Sequence, residues 1–379
     1  MPRSKLDREI KSFGKTVLVL QGGGALGAYQ IGVYEALSEA KVEPDWVIGT
    51  SIGAINASII AGNAPEDRVP RLEAFWNSVT QDSPFQFGFA DATAFLRDMG
   101  TLTFGLPGFF RPNLSTMLNP FATRGAETAG FYSTEPLRET LSSLIDFDRI
   151  NRGVTRLTVG AASVSDSEMR YFDSADEKLG LDHTMASGAL PPAFPPVRIG
   201  GQLYWDGGLL SNTPIEHVFE EEPRRDAMII TVQLWNHEGA EPASVWQAMN
   251  RQKDLQFSSR ADAHIERQRE LHRLRHVIGE LAKHLPDAET KKNYVQGLTC
   301  LGCASRLHVI RLLAPPLEGE TQFKDIDFSA SGIQQRRSLG YRDTKNMLAR
   351  APWRDRFDER EGLILHDCRD GMVLQPPSV

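Results

Sequence analysis

A serine with a glycine two residues to either side is the feature of this chain best suited to chemistry. The serine is Ser51 and the glycines are Gly49 and Gly53, between an apolar strand-like run and an apolar helix over 54–61. Side chains at the glycine positions would collide with the adjoining strand and helix, so the pattern predicts a sharp turn that exposes Ser51 Oγ. The start of the helix adds positive potential there. Because this motif also arises by chance, its neighbours must decide whether Ser51 is a nucleophile.

A glycine-rich loop follows the first predicted strand and precedes a helix. Its glycines are Gly22, Gly23, Gly24 and Gly27. Three of them fit the G-x-G-x-x-G dinucleotide fingerprint, but that fingerprint expects an acidic residue at the end of the second strand, where this chain has the serine motif. Backbone amides at a helix N-terminus can instead receive an oxyanion. In a parallel strand–helix–strand unit the loop and Ser51 would meet at one edge of the sheet.

An aspartate follows a predicted hairpin later in the chain. Residues 197–205 read as two short strands about a Gly-Gly turn, and they lead directly into Asp206, Gly207 and Gly208. An Asp-Gly pair is usually only a turn. An aspartate held between a strand end and two glycines is nevertheless placed for hydrogen bonds with the backbone.

Composition narrows the class of protein. The chain has 379 residues, of which 41% are hydrophobic, and a formal net charge of −7. The length suits one large α/β domain or two moderate ones, and the charge argues against nucleic-acid binding. No apolar run is long enough to span a bilayer and no signal-peptide core is present, so we expect a cytoplasmic protein. The pair Cys300 and Cys303 reads as plain thiols, and we expect no metal and no cofactor.

Two further segments have a distinctive composition. The insert 81–132 is rich in Phe, Gly and Pro, and its rings either contact lipid, as a lid would, or complete the core or an oligomer interface. A long basic helix is predicted from about 243 to 284, where a solvated, salt-bridged face is favoured over a patch for anionic lipid. His272 and His276 lie on one face of that helix, and we predict that they are solvated.

Taken together, the motifs resemble those of the patatin-like phospholipase family. The matching segments occur in order at 21–27, 49–53, 186–191 with 194–196, and 206–208 with 212–214. The resemblance implies a three-layer α/β/α sandwich around a mostly parallel sheet. It also implies that Ser51 is the nucleophile, Asp206 its dyad partner, and the amides of Gly22, Gly23 and Gly24 the oxyanion hole.

The resemblance also suggests a domain organisation. Residues 1–14 would be an N-terminal segment, 15–234 the catalytic domain with its insert, and 235–379 a helical extension packed on it, similar to that of one bacterial subgroup. Family members often carry a cation where this chain has Leu26, so neutral acyl esters stay possible beside phospholipids. The expected partner is a lipid or acyl ester, with possible contact at a lipid surface. The oligomeric state is open.

The chemistry places a condition on Asp206. A serine hydroxyl needs a base within hydrogen-bond reach, and a carboxylate of ordinary pKa is a poor one unless burial raises that pKa. We therefore expect Asp206 to be partly buried. Two alternatives remain open: a Ser-His-Asp esterase that uses His217 or His183 as base, and a nucleotide-binding or non-catalytic α/β scaffold.

Overall fold

The computed structural model describes residues 4–81, 100–123, 125–286, 293–299, 301–317, 320, 323–358, 361–369 and 372–374. Its strands are β1 Lys15–Leu20, β2 Trp46–Thr50, β3 Arg111–Pro112, β4 Tyr132–Ser133, β5 Arg156–Ser163, β6 Met169–Asp173, β7 Val197–Ile199, β8 Gln202–Asp206, β9 Ala227–Gln233, β10 Leu307–Leu313, β11 Leu363–Arg369 and β12 Met372–Leu374. Its α-helices are α1 Lys5–Lys11, α2 Ala28–Glu39, α3 Ile52–Ala61, α4 Pro65–Val79, α5 Leu114–Leu118, α6 Glu135–Leu144, α7 Phe147–Asn151, α8 Leu181–Ser187, α9 Glu216–Phe219, α10 Val245–Lys283, α11 Asn293–Thr299 and α12 Ala330–Arg350.

One mostly parallel sheet organises the described part of the chain. Its order is β12-β11-β10-β9-β1-β2-β5-β8-β7, with β6 paired to β5 beside that path. The strands from β11 to β5 run parallel, whereas β12, β6, β8 and β7 are antiparallel to their neighbours. The carboxyl ends of β1, β2 and β9 therefore open at one edge, where ligand sites of such sheets usually form.

Helices cover both faces of this sheet. Along β1 the side chains alternate, with Leu18 and Leu20 in one hydrophobic cluster and Val17 and Val19 in another. The first cluster includes side chains of α2, α3, α4 and α12, and the second includes side chains of α9 and α10. Strands buried on both faces carry continuous apolar runs, as β1 and β9 do. The predicted three-layer α/β/α sandwich is thus confirmed.

The strand register brings the serine and aspartate motifs to the same level. Thr50, the last residue of β2, pairs with Gly160 of β5. The next residue of β5, Ala161, pairs with Asp206 at the end of β8. Ser51 follows Thr50 directly, so the sheet itself places Ser51 and Asp206 on either side of β5.

The region after residue 234 is more than a helical extension. It supplies β10, β11 and β12 to the same sheet as well as α10, α11 and α12. All seven residues of β10 are buried, because β10 lies between β9 and β11. Helix α12 packs on α2, where the hydroxyl of Tyr29 donates to the carboxylate of Asp343 at 3.0 Å in a buried contact.

Helix α10 is continuous, and some of its basic residues are paired with carboxylates. Lys253 bonds Asp325 at 2.6 Å and Arg269 bonds Glu361 at 3.0 Å, as the salt-bridged interpretation predicts. Within the described ranges, none of the helices combines the length and apolar character that crossing a bilayer requires.

The predicted solvation of two histidines on α10 is wrong. His272 and His276 are 1% and 9% exposed. Their face of α10 packs against β11, and Gly362, just before that strand, lies against the His276 ring. The Nε2 atom of His276 lies 2.9 Å from the Ser305 carbonyl. Helical periodicity alone could not reveal this burial, because the covering residues come from distant parts of the chain.

Three sequence segments fall partly outside the described residues. The insert 81–132 is described at residue 81 and from 100 onward except residue 124, so its first four phenylalanines are outside. Cys300 is outside too, whereas Cys303 and Cys368 are free thiols. The end of the chain is described up to Leu374.

Candidate active site

The turn that carries Ser51 has the strained geometry that its glycines predict. Ser51 has φ 56° and ψ −126°, a conformation that L-residues rarely adopt and that clusters at functional sites. A Cβ on Gly49 would lie 2.3 Å from the Gly53 carbonyl oxygen, and one on Gly53 would lie 2.2 Å from the Leu20 oxygen. Only glycine fits at either position, which confirms the predicted turn between β2 and α3.

A buried hydroxyl holds the backbone of this turn in place. The Ser51 amide donates to Ser187 Oγ at 3.0 Å, and Ser187 Oγ donates to the Gly160 carbonyl at 2.6 Å. Ser187 is fully buried at the end of α8. Sequence analysis included this residue in a matching segment but missed its role, which would have required knowing that α8 faces β5.

Asp206 is the buried carboxyl that the chemistry requires. It is 2% exposed and accepts a hydrogen bond from the Gly208 amide at 2.7 Å. Burial raises its pKa from 3.8 to about 6, against the opposing effect of hydrogen bonds from Ser51 and Gly208. A Cβ on Gly207 would lie 2.5 Å from the Gly160 oxygen, so glycine is needed for this close approach to β5.

The glycine loop contributes fewer free amides than the sequence suggests. The Gly22 amide donates to the Asn212 carbonyl at 3.1 Å, so the prediction that Gly22 is an oxyanion donor needs correction. No hydrogen bond to the amides of Gly23 or Gly24 is found among the described residues. Both residues line the cavity next to Ser51.

The remaining loop glycine has a packing role. A Cβ on Gly27 would lie 2.7 Å from Ile52 Cγ1, so Gly27 lets the start of α2 pack against the first turn of α3. That contact joins the loop to the serine turn.

Buried side chains fix the glycine loop from behind. Gln21 is fully buried, and its Oε1 accepts the Trp235 amide at 3.1 Å while its Nε2 donates to Thr213 Oγ1 at 2.7 Å. The Gly22 carbonyl accepts Trp235 Nε1 at 2.8 Å and Asn212 Nδ2 at 3.1 Å. These contacts join the ends of β1, β9 and the segment after Asp206. The loop is thus held before any ligand binds, as electrostatic catalysis requires.

An apolar cavity opens above these groups. Its volume is about 170 Å³, several times the space that one water molecule occupies. Its floor is formed by the three motifs, and its walls carry mainly aromatic and aliphatic side chains: Ile55, Leu102, Phe109, Phe110, Tyr132, Leu190, Phe194, Trp235, Phe257, Ile326 and Phe328. Three regions build these walls: the catalytic motifs, the insert and the segment after residue 234.

The insert divides between cavity wall and surface. Phe109 and Phe110 are 8% and 6% exposed, and they pack on Phe194. Phe104 and Phe121, by contrast, are exposed. The core interpretation is therefore confirmed for Phe109 and Phe110, whereas lipid contact by the exposed rings stays a prediction.

Neither candidate histidine reaches Ser51. His217 Nε2 lies 3.3 Å from Asp173 Oδ2, and its ring packs against Trp46 at the beginning of β2. Since Trp46 is five residues before Ser51, at a rise of about 3.3 Å per residue, the two ends of β2 are well over 10 Å apart. His183 Nδ1 instead accepts the amide of Gly180 at 2.9 Å. All nine histidines of the chain are described, and none lines the cavity.

Two protein-family models match this chain. Residues 18–219 match the family model described as patatin-like phospholipase, and 255–360 match a second one described as patatin phospholipase. An uncharacterized NTE family protein of Mycobacterium tuberculosis is 30% identical over 200 residues, which is 52% of this chain and 27% of that protein.

The first curated relatives are much longer proteins, of which this chain matches only a small part. A lysophospholipase of Aspergillus terreus is 27% identical over 54% of this chain and 11% of its own length. The chain spans only 8–11% of the curated relatives that it matches first. Among solved structures, VipD from Legionella pneumophila is 16% identical, with a TM-score of 0.37 over 88% of this chain and 66% of that chain.

Proposed function

We propose that this chain, which belongs to the patatin-like phospholipase family, hydrolyses acyl esters of lipids with Ser51 as nucleophile and Asp206 as general base. One observation carries the proposal: a buried carboxyl with a pKa of about 6 interacts with a serine on a strained turn, at the floor of an apolar cavity. A base with a pKa near the working pH is largely ionised yet still able to accept a proton.

The proposed reaction has two stages. Ser51 Oγ attacks the ester carbonyl while Asp206 accepts its proton, and the Gly23 and Gly24 amides stabilise the oxyanion of the tetrahedral intermediate. Asp206 then gives the proton to the departing alcohol. The acyl group stays bound to Ser51 Oγ as an ester. Water hydrolyses this ester in the second stage, with Asp206 again as base. The apolar walls suit the acyl chain.

The substrate would be presented at a lipid surface. Residues 100–123 supply Leu102, Phe109 and Phe110 to the cavity, and the same segment exposes Leu118 and Phe121 by 86% and 95%. Large exposed apolar side chains on a segment that also lines a binding cavity are typical of contact with a lipid phase. An acyl chain could then pass from that phase into the cavity without crossing water.

We also propose that the whole described chain forms one catalytic unit. Residues 15–234 carry the reacting groups, and the segment after 234 completes the cavity with Phe257, Ile326 and Phe328. Removal of residues 235–379 would therefore expose the sheet edge at β9 and open the acyl pocket.

Labelling with a fluorophosphonate tests the nucleophile directly, because this reagent phosphonylates activated serines. We expect labelling at Ser51 alone, and we expect Ser51→Ala to lose both labelling and hydrolysis of a p-nitrophenyl ester. The free energy of unfolding of the variant should stay within about 1 kcal/mol of the parent, since only a partly exposed hydroxyl is removed. Labelling of a different serine, or full turnover by the variant, would refute the assignment.

A further inference from the structure

Two side chains donate to one carbonyl oxygen of the glycine loop. The Gly22 carbonyl accepts the indole Nε1–H of Trp235 at 2.8 Å and the side-chain amide of Asn212 at 3.1 Å. Both donors are buried, and they reach the loop from the segment after β9 and from the segment after Asp206. Neither side chain takes part in the proposed reaction, although both line the cavity. Any effect on the chemistry must therefore pass through the peptide unit that they hold.

That peptide unit also carries the amide of Gly23. A peptide unit is planar, and in the trans form its N–H points in the direction opposite to its C=O. The peptide between Gly22 and Gly23 is trans. The two bonds to the Gly22 carbonyl therefore set the direction of the Gly23 N–H, which points away from both donors. Because no hydrogen bond to this amide is found in the described part of the chain, it stays available to a ligand.

The Gly24 amide, the other proposed oxyanion donor, is oriented locally. Its peptide unit carries the Gly23 carbonyl, which accepts the Leu26 amide at 3.2 Å beside the short 3-10 turn Gly24–Gly27. The loop thus orients the Gly24 amide with its own backbone. Orienting the Gly23 amide, by contrast, requires side chains from distant parts of the chain.

Trp235 is itself fixed by its surroundings. It is buried, and its backbone amide donates to Gln21 Oε1 at 3.1 Å. Its ring packs on Phe257 of α10 with the ring centroids 5.0 Å apart, and Lys324 Nζ lies 5.3 Å from the centroid of the indole. A cation is attracted to the face of an indole. These contacts restrict the ring, so its N–H is held towards the Gly22 carbonyl before any ligand binds.

We propose that Trp235 is a positioning residue, whose indole N–H aims the Gly23 amide at the oxyanion and polarises the peptide unit that carries this amide. The inference rests on the proposed acyl hydrolysis at Ser51. A carbonyl that accepts hydrogen bonds makes the N–H of its own peptide a stronger donor, because hydrogen bonds in a chain polarise one another. Donors aimed at charge that develops in the transition state raise kcat more than they tighten substrate binding.

Trp235→Phe tests this role, because it removes the indole N–H and keeps an aromatic ring. With the full-length protein and p-nitrophenyl butyrate, kcat should be about tenfold lower and KM within about twofold of the parent. Complete loss of one oxyanion donor lowers kcat by roughly 10²–10³-fold. The loss expected here is smaller, because Asn212 still donates to the Gly22 carbonyl.

A second measurement separates positioning from a loss of structure. An alkyl trifluoromethyl ketone adds reversibly to the serine: Oγ bonds to the carbonyl carbon, the serine proton passes to Asp206, and the ketone oxygen becomes an oxyanion. In Trp235→Phe its inhibition constant should therefore rise by the factor by which kcat/KM falls. A change that only reduced the fraction of active protein would lower kcat and leave the inhibition constant unchanged.

Trp353→Phe is the matched control. Trp353 is also buried and its Nε1 donates to Glu9 at 3.0 Å, but it does not line the cavity. Its replacement should leave both kcat and the inhibition constant unchanged. Asn212→Ser removes the second donor to the same carbonyl and should repeat the Trp235→Phe pattern with a smaller loss, because its bond is the longer one. This variant keeps the test decisive if Trp235→Phe does not fold.

The outcomes separate the inference from the proposed function. Parent-like kcat and inhibition in folded Trp235→Phe, with fluorophosphonate still labelling Ser51, would overturn the inference and leave the proposed hydrolase intact. A lower kcat with an unchanged inhibition constant would do the same. No labelling and no hydrolysis by the parent protein would overturn both.

Discussion

The raised pKa of Asp206 predicts that the candidate base destabilises the fold at neutral pH. Its carboxyl titrates at about 6 in the folded protein against 3.8 ordinarily, because burial disfavours the charged form. Below about pH 4 the carboxyl is protonated in both the folded and the unfolded state, so it does not lower the free energy of unfolding. As the pH rises from about 4 to about 6, the unfolded chain ionises more readily than the folded protein, so the free energy of unfolding decreases. The difference between the two pKa values corresponds to about 3 kcal/mol.

Asp206→Asn should therefore abolish hydrolysis and stabilise the protein at the same time. Relative to the parent, its free energy of unfolding should increase by about 3 kcal/mol between pH 4 and pH 7.5. The amide keeps the shape and an acceptor for the Gly208 amide, which donates to Asp206 Oδ1 at 2.7 Å. Urea unfolding of both proteins across this range measures the difference, because titrations common to both proteins cancel.

A second buried carboxyl supplies a control of opposite sign. Burial by itself would raise the pKa of Asp173, but hydrogen bonds from His217, Arg156 and Thr158 outweigh it and hold that pKa well below the usual range. Asp173→Asn should thus lose stability relative to the parent at neutral pH and recover as the pH falls below 4. If the Asp206→Asn difference is flat with pH, or decreases as pH rises, the pKa of Asp206 is not raised in the folded protein and the argument for it as base fails.

Three further predictions concern the rest of the site. His183→Ala and His217→Ala should each keep kcat for a p-nitrophenyl ester within about tenfold, since neither ring reaches the cavity. Gly23→Ala should lower kcat by raising the activation free energy about 3 kcal/mol, the typical cost of losing one oxyanion donor. A Cβ there would lie 3.0 Å from Leu234 Cδ1, so the loop would have to shift and its donor amide would turn away from the oxyanion. Replacing both Leu118 and Phe121 with Ser should slow hydrolysis of a long-chain ester in phosphatidylcholine vesicles at least fivefold while leaving a short soluble ester unaffected.

Each of these measurements has an outcome that contradicts its reasoning. A folded histidine variant as inactive as Ser51→Ala would make that histidine the base. Near-normal kcat in Gly23→Ala would place the oxyanion donors elsewhere. Equal losses on vesicles and soluble ester would assign the exposed apolar residues a structural role. Val154→Ser, another exposed apolar side chain, controls for the loss of surface hydrophobicity.

Local sequence determined the parts of the site that depend on backbone geometry. The glycines at positions 49 and 53 predict the turn at Ser51, because a Cβ on Gly49 would meet the backbone of Gly53, four residues along the chain, and one on Gly53 would meet the Leu20 carbonyl at the end of β1. The hairpin of β7 and β8 was likewise predictable from its turn and its alternating residues. The order of the motifs along the chain then predicts a parallel sheet with both groups at one edge.

Tertiary structure alone decided which groups are available for chemistry. The Gly22 amide is occupied by the Asn212 carbonyl, 190 residues away, and no local pattern reveals such a bond. The raised pKa of Asp206 and the burial of His272 likewise depend on segments that meet only in the folded chain. Backbone conformation follows from neighbours in sequence, whereas desolvation and charge environment follow from neighbours in space.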